Sequence, residues 1–399
     1  MKTTIKTLTV ATILAIVSGA TGAVWARDLT IEKCPKKLGE QEDLQQATLD
    51  VADDLIVQGV CRVLPGTTVE WGNVTITSGG VLQFSDASNL PIKFTAKSIT
   101  IESGGTLIAG AAARAFGTNG AKLTLTFTGT PPATCQMLDS HTDWCGKGIL
   151  VKAGATLNLY GAKGVAESGV SWTHLSVPAG PTVQGAKVQS GGASTLQLAK
   201  DVSQGAGAWK KDDWIAVATT SFSPFDTEFV QLAADATRDA TTGGSQVTLA
   251  QPLKHYHFGG KDPGPPSADN YNGSRSGVDY NYGVDERAEV GLITRSIKLT
   301  ATVDSANLHW GGEIKILKDF AQVVVQGVEI EKFGKNHLGA YPIHLHRLGP
   351  VAAGTLTINA NSVHHSYNKC VTIHSTQNVT IENMVCARII GHIFYQEYG

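Results

Sequence analysis

Charge is scarce in this chain. Only 17% of its 399 residues are charged, and the formal net charge is −2. No global field therefore draws in a polyanion, so nucleic acid is not an expected partner, and an anionic ligand has to be held by local Arg and Lys. Long apolar runs are scarce as well. The run from Leu8 to Val17 is too short to cross a bilayer, and no later segment approaches the length needed, which argues against stable membrane insertion. C-x-x-C spacing is absent, which removes the usual cysteine signature of zinc.

Glycine is abundant, with 44 residues, and that profile fits an all-β protein with many tight turns. Lys2 and Lys6, the apolar run and the small residues ending at Val24-Trp25-Ala26 read as a signal peptide over residues 1–26. Its removal would take the formal charge to −4. Export implies a secreted, periplasmic or cell-surface protein. In such an oxidising compartment the six cysteines permit disulfides. Cys135 with Cys145 closes a short polar loop and is the most plausible pair, and Cys34 with Cys61 comes next. Cys370 reads as readily as a buried free thiol.

One phrase recurs between about residue 60 and residue 200. It runs Val74-Thr75-Ile76-Thr77-Ser78-Gly79-Gly80-Val81-Leu82, then Ile99 to Leu107, then Ile149 to Leu157, with a weaker copy around Gly191-Gly192. Each copy reads as a strand, a glycine-containing tight turn and a second strand. Repeats of this kind bury a continuous core only by stacking. Residues 209–257 look different, and a polar insert covers 259–282. Strands resume at Ala288.

A second pattern lies near the C-terminus. Tyr341-Pro342-Ile343-His344-Leu345-His346 is echoed by Val371-Thr372-Ile373-His374 and by Ile393-Phe394-Tyr395-Gln396, at steps of 28 and 22 residues, close to one coil of a parallel β-solenoid. Side chains alternate across a strand. Ile343, Leu345, Val371, Ile373, Ile393 and Tyr395 are therefore expected inside, and His344, His346, Thr372, His374, Phe394 and Gln396 outside. His346, His374 and Gln396 would form one outward column. Gly399 follows directly on a rung, so the chain reads as a piece of a longer protein or as having a partner at that end.

Several phrases resemble the animal proteins that depolymerise hyaluronan, in which a glycine-rich "eight-glycine" domain precedes a right-handed parallel β-helix. They are Tyr282 to Leu292, His309-Trp310-Gly311-Gly312-Glu313-Ile314-Lys315, Gly339 to His346, Ser362-Val363-His364-His365, Cys370 to His374 and Gly391 to Gly399. The resemblance implies an eight-glycine-type β domain over 27–258, the polar loop over 259–282 and the first coils of a pectate-lyase-like β-helix over 283–399. The family usually has an acidic pair before the final glycine, where this chain has Gln396-Glu397-Tyr398-Gly399.

Three imidazoles on two strands, His344, His346 and His374, suit proton transfer or ligation of a divalent cation such as calcium or zinc. A stacked polar ladder is the structural alternative. Asp285, Arg287 and Glu289 share one face of a strand expected to enter the helix, and paired carboxylates suit glycoside chemistry. Arg295, Arg347 and Arg388 are candidates to hold a uronate carboxylate. His392, before a strand, is placed to reach the column from the side, and His364 and His365 are expected at turns. His255, His257 and the tyrosines of the insert, Tyr282 among them, are further candidates for a polysaccharide partner.

Two functions follow. One is depolymerisation of a hyaluronan-like or other uronate-containing glycan, by hydrolysis or by a lyase reaction. The other is a non-catalytic carbohydrate-binding or adhesion module. A purely structural surface protein would leave the histidine column unexplained.

Overall fold

A computed structural model of the chain describes residues 54–165, 170–181, 194–260, 285–302 and 309–398. The signal segment, Cys34, Tyr282 and nearly all of the 259–282 insert lie outside these residues, so the expectations placed on them stay as sequence expectations. Among the described residues the one helical piece is a 3-10 turn, Pro224–Asp226.

Three parallel sheets form the body. The first has eight strands, Leu55–Val57, Asn73–Ile76, Ser98–Ile101, Gly148–Val151, Ile314–Leu317, Ile343–Pro350, Val371–Gln377 and Phe394–Glu397. The second and third have seven strands each, and the chain visits first, second and third in turn on every coil. This is a three-faced parallel β-helix. Its inward columns are aliphatic: Ile149, Ile314, Ile343 and Val371 stack in register, as do Val151, Ile316, Leu345 and Ile373. All of these but Ile373 are fully buried. A ladder that removes so much apolar surface from water is held chiefly by the hydrophobic effect.

The repeated glycine phrases are the corners between the first and second faces, not hairpins. Gly79, Gly104 and Gly154 hold φ of +78°, +75° and +71°, a region glycine enters without steric cost. The corners are themselves hydrogen-bonded, Gly79 N to Gly104 O, Gly104 N to Gly154 O and Gly154 N to Asp319 O. A hairpin would have returned the chain antiparallel. Instead each phrase hands it to the next face of the coil.

The stack also runs unbroken through the boundary read from sequence. The strand Gly148–Val151 pairs directly with Ile314–Leu317, so coils from both halves form one helix. What differs is an insertion between the second-face strand Thr156–Tyr160 and the third-face strand Ile297–Ala301. It carries a four-stranded antiparallel sheet, ordered Trp172–His174, Glu289–Leu292, Trp214–Val217 and Glu228–Gln231, and a three-stranded one. It has its own core around Trp209, Leu196 and Val247. It docks on the third face, where Ala216 and Ile293 meet Val385 and Ala387, with Trp172 and Phe229 packed alongside. Gly291 permits the approach, because a Cβ there would lie 2.5 Å from a methyl of Val385.

Candidate functional site

Strand alternation turns Ile343 and Leu345 inward and His344 and His346 outward on the first face. Register places Lys315, His344, Thr372 and Tyr395 in one outward row, and Leu317, His346, His374 and Glu397 in the next. Gln396 is therefore not in the column. Ile393 still belongs to the corner, its carbonyl accepting from Val371 N, so the last strand begins one residue later than the spacing suggests. That shift puts Phe394 and Gln396 on the core side and Tyr395 and Glu397 on the outer side.

The three imidazoles come together. Ring centroids of His344 and His346 are 4.7 Å apart, those of His346 and His374 5.0 Å, and those of His344 and His374 5.9 Å with the planes stacked. Two of them belong to a hydrogen-bond chain. His344 Nδ1 donates to the carbonyl of Gly339 (2.9 Å), so in the neutral ring Nε2 is left to accept from His346 Nδ1 (3.2 Å). His346 Nε2 then accepts from Thr142 Oγ1 at 2.9 Å. These partners assign both neutral rings the Nδ1–H tautomer.

The outer face is not open here, which corrects the expectation of an exposed column. The antiparallel ribbon of Gln136–Asp139 and Thr142–Trp144, closed by the expected Cys135–Cys145 disulfide, lies over it. His344 is 0% and His346 7% exposed. Lys315 Nζ donates to the Asp143 carbonyl at 2.6 Å, and His337 Nε2 lies 2.6 Å from Asp143 Oδ2. Below this, Lys335 Nζ donates to Glu313 Oε1 and to the Gly146 carbonyl, both at 2.7 Å. Glu313, Lys315 and Lys335 are all buried. Charges so placed hold only while each is paired, since breaking such a pair strands a charge away from water.

This surrounding sets the protonation states. His344 is pushed well below the ordinary imidazole range by burial, then by the charges of His346 and Lys315. His346 falls to about 4 through burial and the charges of Lys315, His374 and Arg347. Burial also lowers His374, against an upward pull from Glu397, whose Oε2 lies 3.8 Å from its Nδ1. At neutral pH the cluster is three uncharged imidazoles. One ring nitrogen from each lies within 4.8 Å of the others, a spacing a single divalent ion can gather. The Cys135, Asp143, Cys145 and His337 group is no such site, because its two sulfurs are bonded to each other.

The other candidates are scattered. Asp285 and Arg287 form a bidentate pair (2.9 and 2.6 Å) beside His174, and Glu289 stands on the antiparallel sheet. That strand is not part of the helix and docks against the third face, so these carboxylates and the histidine cluster sit on separate sheets. Arg295 is buried. Its guanidinium donates to the carbonyls of Ala360, Leu292 and Thr294 and to Ser171 Oγ, which removes it from any glycan and makes it a wedge between insertion and helix. Arg347 is exposed and near enough to lower both His346 and His374. Arg388 lies over the Phe229 ring and donates to His365 Nε2 on the third face. His392 meets Tyr395 (5.4 Å), not the histidines. His257 is buried against Glu228 and the Ala218 carbonyl.

His364 and His365 stand on a third-face strand, Ser362–Ser366, instead of at a turn. They form a second cluster with Glu331. Cys370 is bonded to Cys386, so the free-thiol alternative falls. The residues that sequence reasoning passed over are Thr142, Asp143, Glu313, Lys335, Lys369 and Glu397. Glu313-x-Lys315 carried a usable signal, since it lies one coil below His344 with the same alternation.

Geometry thus defines a parallel β-helix with a histidine cluster on one face and an antiparallel insertion on another. Residues 50–176 match the G8 domain family model, and residues 309–399 match the CEMIP beta-helix. The chain thus carries one segment similar to each of these two models. It is 28% identical over 236 residues to the human cell surface hyaluronidase CEMIP2, covering 55% of this chain and 15% of that one. It is 27% identical to the mouse cell migration-inducing and hyaluronan-binding protein, covering 48% of this chain and 14% of that one. A G8 domain-containing protein of Dictyostelium discoideum is 26% identical over 63% of this chain and 18% of its own length. The chain thus spans about 15% of the length of the first of these relatives. Among the described residues no helix is long and apolar enough to cross a membrane.

Proposed function

We propose that this protein depolymerises a hyaluronan-like, uronate-containing polysaccharide outside the cell, using His344, His346 and His374 as its working centre. The observation that carries the reading is the gathering of three neutral imidazoles, with ring nitrogens within 4.8 Å of one another, on a rigid sheet. The names of the human and mouse relatives supply the substrate class.

Three neutral imidazoles are the ligand set of an open catalytic zinc site, and a divalent ion held there would supply Lewis-acid polarisation or an activated water. The chain's own residues prepare that set. Lys315 and burial keep His344 and His346 unprotonated. Gly339 turns the His344 Nε2 lone pair into the cluster, where an ion would take the place of the His346 Nδ1–His344 Nε2 hydrogen bond. The disulfide-closed ribbon keeps bulk water away from His344. Glu397 is the carboxylate of the row, beside His374, and is placed to exchange a proton at the exposed edge of the cluster. Asp285 and Glu289 take no part in this reading.

Binding without cleavage is the second reading. It draws on the Gly339–His344–His346–Thr142 chain, which satisfies two imidazoles within the protein. Polymer length separates the two. Purified protein is incubated with hyaluronan, first with chelator and then with zinc or calcium restored. Shortening that stops with chelator and returns with one metal supports the proposal. Unchanged length under every condition, with retained binding, moves the assignment to the binding module. An unsaturated uronate product would make the reaction a lyase.

A further inference from the structure

Beside the histidine cluster stands a cation with no carboxylate of its own. Lys369 Nζ lies 4.6 Å from the ring centroid of Tyr341 and 4.4 Å from that of Tyr395. Two aromatic faces attract an ammonium but leave its N–H donors unspent. No ion pair joins this group among the described residues, whereas Lys298, Lys315 and Lys335 on the same helix are each paired with carboxylates.

Its position is built. Lys369 N donates to Asn368 Oδ1 (2.9 Å), and Asn368 Nδ2 donates to the carbonyl of Lys335 at 2.8 Å. Cys370, the next residue, is fixed to Cys386. Gly391 packs against the lysine stem, where a Cβ would stand 3.7 Å from Lys369 Cγ. The Tyr341 ring then connects this lysine to the cluster, with its centroid 4.9 Å from that of His344.

Thr372 Oγ1 is fully buried and without a hydrogen-bond partner among the described residues. Thr372 stands in register between His344 and Tyr395, on the line from the histidines to the lysine's aromatic cradle.

We infer that Lys369, in its Tyr341–Tyr395 cradle, is the subsite that receives a uronate carboxylate of the glycan lying across the histidine face. This rests on the glycan reading above and adds the residue that selects for the acidic sugar. A glycan carboxylate would accept from the ammonium, its hydrogen bonds charge-assisted on both sides.

The test uses the full chain and two polymers, hyaluronan and hyaluronan whose carboxyls have been reduced to alcohols. Binding is measured by titration calorimetry and cleavage by gel, for wild type, Lys369→Gln and Lys369→Arg, with thermal melts to confirm folding. Lys369→Gln should bind hyaluronan roughly ten- to a hundredfold more weakly, as expected for loss of a hydrogen-bonded charge. It should equal wild type on the reduced polymer, and Lys369→Arg should keep most of the affinity. Equal hyaluronan affinity for wild type and a folded Lys369→Gln overturns the subsite. Binding without shortening overturns the enzyme reading alone, and the subsite then stands or falls on the Lys369→Gln affinity. If wild type binds neither hyaluronan nor a panel of other uronate polymers, both fall.

Discussion

The first and third faces of the helix each carry a histidine cluster, and they are built in opposite ways. On the third face every ring nitrogen has a protein partner. His364 Nε2 lies 3.3 Å from Glu329, the two Nδ1 atoms share one hydrogen bond at 2.8 Å, and His365 Nε2 accepts from Arg388 at 3.3 Å. Phe229 of the insertion covers both rings. Lys298 bridges Glu329 and Glu331, and that bridge holds the Glu331 carboxyl down at about 2 despite its burial. On the first face His344 and His346 are partnered through Gly339, each other and Thr142, and His374 is the ring without a hydrogen bond among the described residues. His374 meets only the distant Glu397 carboxylate, and Lys315 and Arg347 stand around the rings. Proximity of histidines is thus common to both clusters, and the open ring of His374 marks the first. The accounting of lone pairs tells them apart.

That contrast is most severely tested at the floor of the first face. Glu313→Ala leaves Lys335 buried without its carboxylate and should cost about 3–5 kcal/mol, the usual penalty for breaking a buried pair. Urea unfolding of the two proteins reads this directly. A loss under about 1 kcal/mol would mean that water reaches the pair and that the ribbon is no seal.

The ribbon itself comes next. Replacing Cys135 and Cys145 together by serine removes a short cross-link and should lower stability by about 2–3 kcal/mol. The same variant should expose His346, which a faster reaction with diethyl pyrocarbonate would report. Unchanged labelling would show that Thr142, Asp143 and His337 hold the cover without the disulfide.

Acid should weaken both clusters, because burial lowers His365 as well as His346 to about 4. The folded-state value of His346 is about 4, below the ordinary imidazole value of 6.5. The unfolded chain therefore binds more protons between those limits, so the stability this group confers is whole above about pH 6.5 and is lost as the pH falls towards 4. The slope is about 1.4 kcal/mol per pH unit for one such group. In metal-free protein, His346→Gln should flatten the dependence of the urea midpoint between pH 7 and pH 5. An unchanged slope would assign it elsewhere.

The smallest effect is expected at the edge of the clamp. Arg388→Ala removes an exposed guanidinium over Phe229 and should cost about 0.5–1 kcal/mol. A larger loss would show that the insertion depends on this contact to stay docked.

Much of this was legible in the chain. Aliphatic alternation at Ile343, Leu345, Val371 and Ile373, together with a step of one coil, suffices for the parallel stack and for the approach of His344, His346 and His374. The Cys135–Cys145 loop was equally plain. The cover over the cluster was not, because Thr142 lies 204 residues before His346 and nothing local to either announces the meeting. The corner phrases were legible as stacking repeats, although a strand, a glycine turn and a strand look alike whether the chain reverses or merely bends. Asp285, Arg287 and Glu289 were placed on the helix because alternation does not reveal which sheet a strand joins. Arg295 illustrates a further blind spot. A guanidinium read as a candidate to hold a uronate carboxylate is buried among carbonyls, and burial, against the pull of Glu329 and Asp213, lowers it to about 10.

The central claim is that the first-face histidines do the chemistry and the third-face histidines hold the fold. The most direct measurement is hyaluronan length after incubation with wild type, His374→Ala and His365→Ala, each shown to be folded. The account predicts shortening by wild type and His365→Ala, and a loss of about a hundredfold or more in rate for His374→Ala. Shortening by His374→Ala at the wild-type rate would contradict it.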